Sequence, residues 1–254
     1  MSEHTETSAR TERVVVIGGT SGIGLATAEL LLARGYEVVV AGRDAERLES
    51  ALKRLGAGAA GPAASGRTLD AADEDQLARF FAQVGPFDHL VVTLTANGGV
   101  TSLTDLTAAE LRRHSEGKLI PHLLTVKAAL GTLRADGSVT LLGAISSQLS
   151  AAGLVVLGAS NAGVEAAARI LAAELAPRRV NAVSPGIIDT PWWNWVPGEA
   201  REGTLTAATA TTAIGRPGRP EEVAHAVAFL VENTFTTGVV LPVDGGARLG
   251  VIGG

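Results

Sequence analysis

Val14-Val-Val-Ile-Gly-Gly-Thr-Ser-Gly-Ile-Gly24 carries an apolar run of four β-branched residues straight into a glycine-rich turn. Val14 to Ile17 suit a strand covered on both faces of a parallel sheet. Gly18, Gly22 and Gly24 then permit a tight turn, leave backbone N–H groups open to a pyrophosphate, and let the next helix, about Ile23 to Arg34, pack closely on the strand. Thr20, Ser21 and Ile23 lie inside the turn and border any phosphate held there. Anion binding at a helix N-terminus is the physical function of such a turn.

The chain has 254 residues, 46% of them hydrophobic, enough for a large core in one α/β domain. A net charge of −5 and the lack of any basic run argue against a nucleic-acid or anionic-membrane partner. With no cysteine, disulfides and thiolate metal sites are excluded, and the composition is compatible with a reducing cytoplasm. Residues 1–12, MSEHTETSARTE, lack the apolar core of a signal peptide and read as a disordered polar tail. No apolar run is expected to reach membrane-spanning length, and no three histidines or carboxylates stand at metal-ligand spacing, so no metal is expected.

Strands and helices alternate from there on, the pattern of a Rossmann-type doubly wound parallel sheet of about seven strands. Tyr36 to Ala41 form a second strand, followed by Gly42-Arg43-Asp44 and a helix through Leu55. An Ala/Gly/Pro loop, 56–66, precedes a third strand ending at Thr68-Leu69-Asp70. A helix over 73–84, a strand from His89 to Thr93, a long helix over about 107–133 and a strand from Ser138 to Leu142 come next. A helix over 158–176, a strand from Val180 to Val183, a helix over 220–232 and a strand from Val239 to Val243 complete the single domain, 13–254.

The Gly-x-x-x-Gly-x-Gly turn resembles that of the short-chain dehydrogenase/reductase family, with Ile17 where the family usually has Thr. The resemblance runs from about residue 13 to 248 and includes Asp70, Arg179-Val-Asn-Ala-Val-Ser-Pro-Gly186, Thr190, Ile214-Gly-Arg-Pro-Gly-Arg-Pro-Glu-Glu-Val-Ala224 and Thr237-Gly-Val-Val-Leu-Pro-Val-Asp-Gly-Gly246. It implies that Asp70 and Ala71 meet the adenine of a dinucleotide, and that Pro185, Gly186, Ile188 and Thr190 hold its nicotinamide. Thr95 and Ala96 fall on the floor of that site, although the usual Asn-Asn-Ala-Gly is replaced by Thr93-Leu-Thr-Ala96. Asp70 can equally be read as a helix N-cap. The family also implies a homo-oligomer, dimer or tetramer, and a small-molecule substrate.

At the end of the second strand, a carboxylate would accept the ribose 2′-OH and an arginine would pair with a 2′-phosphate. Arg43 stands there, so NADP(H) is expected over NAD(H). Asp44, one residue on, weakens this slightly, and a merely solvated Arg43 is the alternative.

Typical family members reduce carbonyls or oxidise alcohols with Tyr-x-x-x-Lys, a Ser thirteen residues before the Tyr, and an Asn on the preceding long helix. Alignment puts Ala144 at the Ser, Leu157 at the Tyr, Asn161 at the Lys and Lys118 at the Asn. No realignment restores the pair, because Tyr36 is the only tyrosine and the lysines are Lys53, Lys118 and Lys127.

His114, Lys118 and His122 recur every four residues and share a helix face. Lys118 beside the cofactor can act as acid or base if burial depresses its pKa; otherwise it is a surface or subunit-interface lysine. The two histidines read as interface or packing residues, and Ser146 as a hydroxyl donor or an ordinary loop serine. Trp192, Trp193 and Trp195 cluster where the family carries its substrate lid, about 191–213. They suit contact with an apolar or aromatic ligand, or packing of the lid onto the core. Three functions stay open: an atypical oxidoreductase, a non-redox enzyme such as a dehydratase or cyclase, and a nucleotide-binding partner protein without catalysis.

Overall fold

The computed structural model describes residues 10–56, 63–210 and 212–249. Seven parallel strands stand in the order β3-β2-β1-β4-β5-β6-β7: β1 Arg13–Ile17, β2 Glu37–Gly42, β3 Ala64–Thr68, β4 Phe87–Val92, β5 Leu133–Leu142, β6 Arg179–Pro185 and β7 Val240–Val243. The β-branched run of β1 alternates between two cores. Val15 and Ile17 face a layer made by α3 (Glu74–Val84), α5 (Leu119–Ala129) and α6 (Val155–Glu174). Val14 and Val16 face α1 (Gly22–Ala33), α2 (Ala45–Arg54) and α8 (Pro220–Glu232). Both faces are thus covered, which is why the strands read as continuous apolar runs. Chain order reverses between β1 and β4, and the crevice outside their carboxyl ends is where such sheets bind ligands.

Three expectations change. The long helix over 107–133 is two helices, α4 (Ala108–Gly117) and α5, separated at Lys118 with φ −132° and ψ −75°. Pro121 has no N–H to give the carbonyl of Gly117 and its ring crowds that carbonyl, so the first helix cannot continue. The third strand begins at Ala64, inside the expected loop, whose residues 57–62 lie outside the described residues. A span of membrane-crossing length does exist: α6 has 20 residues and a mean hydropathy of 1.2. It packs on β6 and buries Asn161 and Glu165. Of the N-terminal tail, residues 1–9 lie outside the described residues, whereas Arg10 pairs with Asp88 and Glu12 meets His89 Nε2 at 3.3 Å.

Candidate functional site

The site is built from the turn after β1 and the carboxyl ends of β4, β5 and β6. Gly18 has φ +88°, and a methyl there would lie 2.6 Å from Thr93 Oγ1, so the turn needs glycine for both conformation and space. Thr93 donates from its backbone N–H (2.8 Å) and its hydroxyl (3.1 Å) to the Ile17 carbonyl, closing the ends of β1 and β4 together. A methyl on Gly24 would run into the Gly18 carbonyl, which places α1 directly on the turn. Ser21 is the N-cap of α1 without a side-chain cap bond, so the helix's first N–H groups keep their free donors. Gly22, at φ +52°, faces Thr190, whose Cβ would be 3.4 Å from a methyl at position 22. This cradle fits a dinucleotide pyrophosphate: it has open amides, a positive dipole end and no acidic residue in the first turn of α1.

Arg43 is exposed just past β2, and Thr20 fills the space that a side chain at Gly42 would take. Asp44 does not compete with Arg43 for a ligand. Its carboxylate accepts from Arg47 N at 3.0 Å and pairs with the Arg47 guanidinium, capping α2 and holding its pKa below the usual value. Asp73, not Asp70, is the N-cap of α3; the Asp70 Oδ1 instead accepts from Ala72 N at 3.1 Å, beside buried Ala71. Gly186 lies where a side chain would collide with Asp244, and Pro185 and Ile188 are buried beside it.

Around the end of β5, none of the positions 144, 157 and 161 supplies a titratable group. Ala144 is the residue before a short 3-10 turn over 145–147, and Leu157 lies on α6 against His114 and Gly99. Asn161 donates to the Leu157 carbonyl (2.9 Å) and to Ser146 Oγ (3.1 Å). Its Nδ2 is therefore committed, leaving Oδ1 buried without a partner. Ser146 borders a groove of about 610 Å³ with Leu103, Leu149, Leu154, Val155 and Ala159 among its walls. Lys118 and the tryptophans do not line that groove.

Lys118 is buried, its Nζ donating to the Gly143 carbonyl just past β5 at 3.4 Å. Burial pushes it down from 10.5 to about 7, and the Glu165 carboxylate opposes part of that shift. The surface or interface reading of this lysine is excluded within the chain itself. His122 lies one turn on with Nδ1 on the Lys118 carbonyl (2.7 Å), and burial, then the Lys118 charge, holds it down to about 3. Both histidines are internal packing residues, because His114 and His122 are fully enclosed.

Thr190 leads into a 3-10 turn, Pro191–Trp195, and α7 (Gly198–Thr209). Trp192 meets Trp193 and Trp195 edge-on, at centroid distances of 4.9 and 5.8 Å. Its Nε1 donates to the Ala96 carbonyl at 2.9 Å, while Trp193 Nε1 donates to Ile188 O at 3.0 Å. The cluster thus joins the segment after β6 to the loop after β4 that carries exposed Thr95. Glu165 escaped the sequence reading. The available signal was a carboxylate four residues after Asn161, on the same face of an otherwise apolar helix.

Residues 18–248 match the family described as Enoyl-(Acyl carrier protein) reductase. The chain is 34% identical over 250 residues to "Short-chain dehydrogenase/reductase ATR9" of Stachybotrys chlorohalonatus, covering 94% of this chain and 98% of that protein. It is 39% identical over 251 residues to the cis-4-hydroxycyclohexanecarboxylate dehydrogenase of Sinomonas cyclohexanicum, covering 92% and 96%. A solved structure of a small-chain dehydrogenase in complex with NADPH superposes with a TM-score of 0.80 at 29% identity, covering 95% of this chain and all of that one.

Proposed function

The chain belongs to the short-chain dehydrogenase/reductase family, and we propose that it is an NADP(H)-dependent oxidoreductase with an altered proton path. Its substrate in this reading is a small, apolar or aromatic carbonyl or hydroxyl compound. One observation carries the proposal: the nucleotide cradle keeps its glycine geometry while the end of β5 is rebuilt around a buried lysine. When bound, the nicotinamide supplies or takes a hydride. The open amides of α1 would hold the phosphates, Asp70 and Ala71 would border the adenine, and Pro185, Gly186, Ile188 and Thr190 would orient the nicotinamide. Ser146, whose oxygen accepts from Asn161, keeps its own O–H free for a substrate oxygen in the groove. Lys118, held on the Gly143 carbonyl three residues before Ser146, exchanges the proton near neutrality. The absence of hydroxyls at Ala144 and Leu157 favours a second reading, nucleotide binding without turnover.

Exposed Ile120, Leu123 and Ile170 on α5 and α6 support a homo-oligomer. The lack of cysteine fits a cytoplasmic setting.

Calorimetric titration tests the cofactor assignment directly. NADPH is expected to bind about tenfold to a hundredfold more tightly than NADH, the worth of a charge-assisted hydrogen bond to a 2′-phosphate. Arg43→Asp should erase that preference. Equal affinity for both nucleotides in the unaltered protein would reject it. NADPH consumption across a panel of apolar ketones then tests the activity.

Tryptophan emission reads the segment after β6, because all three tryptophans of the chain lie there. Adding ligand to the nucleotide complex should change it, and Trp192→Ala should weaken ligand binding. Unchanged emission, with full binding in Trp192→Ala, Trp193→Ala and Trp195→Ala, assigns the rings to packing alone.

A further inference from the structure

Glu165 is a buried carboxylate, 4% exposed, on a helix whose other buried residues are apolar apart from Asn161. Its Oε1 accepts from Ser147 Oγ at 2.7 Å and from Ser184 Oγ at 2.6 Å, and Oε2 faces Gln148 Nε2 at 3.5 Å. The carboxylate reaches the end of β5 because residue 143 is glycine: a methyl there would come within 2.8 Å of Oε1 and 2.9 Å of Cγ. On the other side, the carbonyl of the same Gly143 accepts from Lys118 Nζ at 3.4 Å. Lysine and carboxylate therefore approach one backbone residue from two different elements, the α4–α5 junction and α6.

We propose that Glu165 is a positioning residue of this site: it is the counter-charge that keeps a proton available on Lys118, and through Ser147 it fixes the turn that presents Ser146. The proposal rests on reading Lys118 as the proton-exchanging group, and it adds what sustains that group in a dry interior. The groups that act on Lys118 are the Glu165 carboxylate of α6, His122 of α5, whose Nδ1 lies on the Lys118 carbonyl, and the Gly143 carbonyl just past β5. His122 is held neutral by burial down to about 3, so among the described residues Glu165 is the anion that opposes the cost of burying the ammonium. Without it, burial acts unopposed and Lys118 gives up its proton at lower pH. Two hydroxyl donors satisfy the buried Oε1.

The chain has three lysines, Lys53, Lys118 and Lys127, which makes the test direct. Protein labelled with 13C at the lysine ε-carbon is titrated by NMR without nucleotide or substrate, and Lys118→Met assigns the buried signal. Glu165→Gln keeps the shape and an oxygen acceptor for the serines. It should lower the Lys118 midpoint by about one pH unit or more and leave the other two signals in place. Glu165→Asp, which draws the charge back from Gly143, should lower it by less, and carries the test if the glutamine variant does not fold. A Lys118 midpoint unmoved in the folded variants overturns the proposal, whereas a purely structural role for Glu165 would leave that midpoint where it is. The readout is separate from catalysis: a shifted midpoint together with normal turnover by Lys118→Met would reject the proton-exchange function and leave the charge pairing standing.

Discussion

Lys118→Met is expected to lower turnover by about a hundredfold or more while leaving NADPH affinity unchanged, as the loss of a general acid or base does. A carbonyl that gains a hydride becomes an alkoxide, and a donor must meet the charge developing on that oxygen. Ala144 and Leu157 have nothing to offer it. Ser146 borders the groove with a hydroxyl, but an isolated serine has no acidity near neutral pH, so in the proposed reading a second group exchanges the proton. In that reading the group is Lys118, which burial pushes down to about 7. Reduction needs the protonated form, so its rate should fall as pH rises through about 7; oxidation of the alcohol should fall as pH drops through the same value. Both limbs should vanish in Lys118→Met. Ser146→Ala should lower the rate and keep the limb, since the titrating group is still present. Normal turnover by Lys118→Met would make the lysine structural, and nucleotide binding with no turnover of any carbonyl by the unaltered protein would favour the non-catalytic reading.

The cradle was legible in the sequence because it depends on glycine, and glycine at Gly18, Gly22 and Gly24 has few other physical reasons to recur at that spacing before a helix. The central strands β1 and β2 were legible because strands buried on both faces are mostly apolar, whereas β3, Ala64–Thr68, is largely exposed and carries no such run. The break at Lys118 was missed although Gly117 and Pro121 flank it: apolar periodicity runs through the break, and a proline three residues into a helix reads as either start or interior. The burial of Lys118 and the meeting with Glu165 were beyond pattern reading. Their sequence separation is large, and Glu165 has room beside the end of β5 only because Gly143 has no side chain. The shared helix face read for His114, Lys118 and His122 fails at the break, which leaves His114 on α4 and His122 on α5, and both rings are enclosed within the chain.

The same Lys118→Met substitution that removes activity is expected to stabilise the fold. In the unfolded chain the ammonium holds its proton up to pH 10.5, whereas in the folded chain burial lowers that to about 7. At about 1.36 kcal/mol per pH unit, this opposes folding by on the order of 4 kcal/mol at pH 7. Methionine matches the lysine stem, fills the same space and carries no charge to desolvate. The value of about 7 already includes the opposing Glu165 charge, so what reduces the gain is imperfect repacking around the methionine. With half the gain retained, about 2 kcal/mol, the melting temperature at pH 7 should rise by roughly 4–8 °C for a chain of this size. The pH dependence fixes the cause. Between about 7 and 10.5 the unfolded chain binds more protons than the folded one, so the stability of the unaltered protein rises with pH across that window. The advantage of Lys118→Met should therefore be full below about pH 7, shrink steadily above it and be lost near 10.5. Thermal unfolding of both proteins at pH 6, 8 and 10 reads this directly, and an advantage that is constant or grows with pH would exclude the buried ammonium as its source. A group that costs the fold this much persists where function requires it, which ties the stability measurement to the catalytic one.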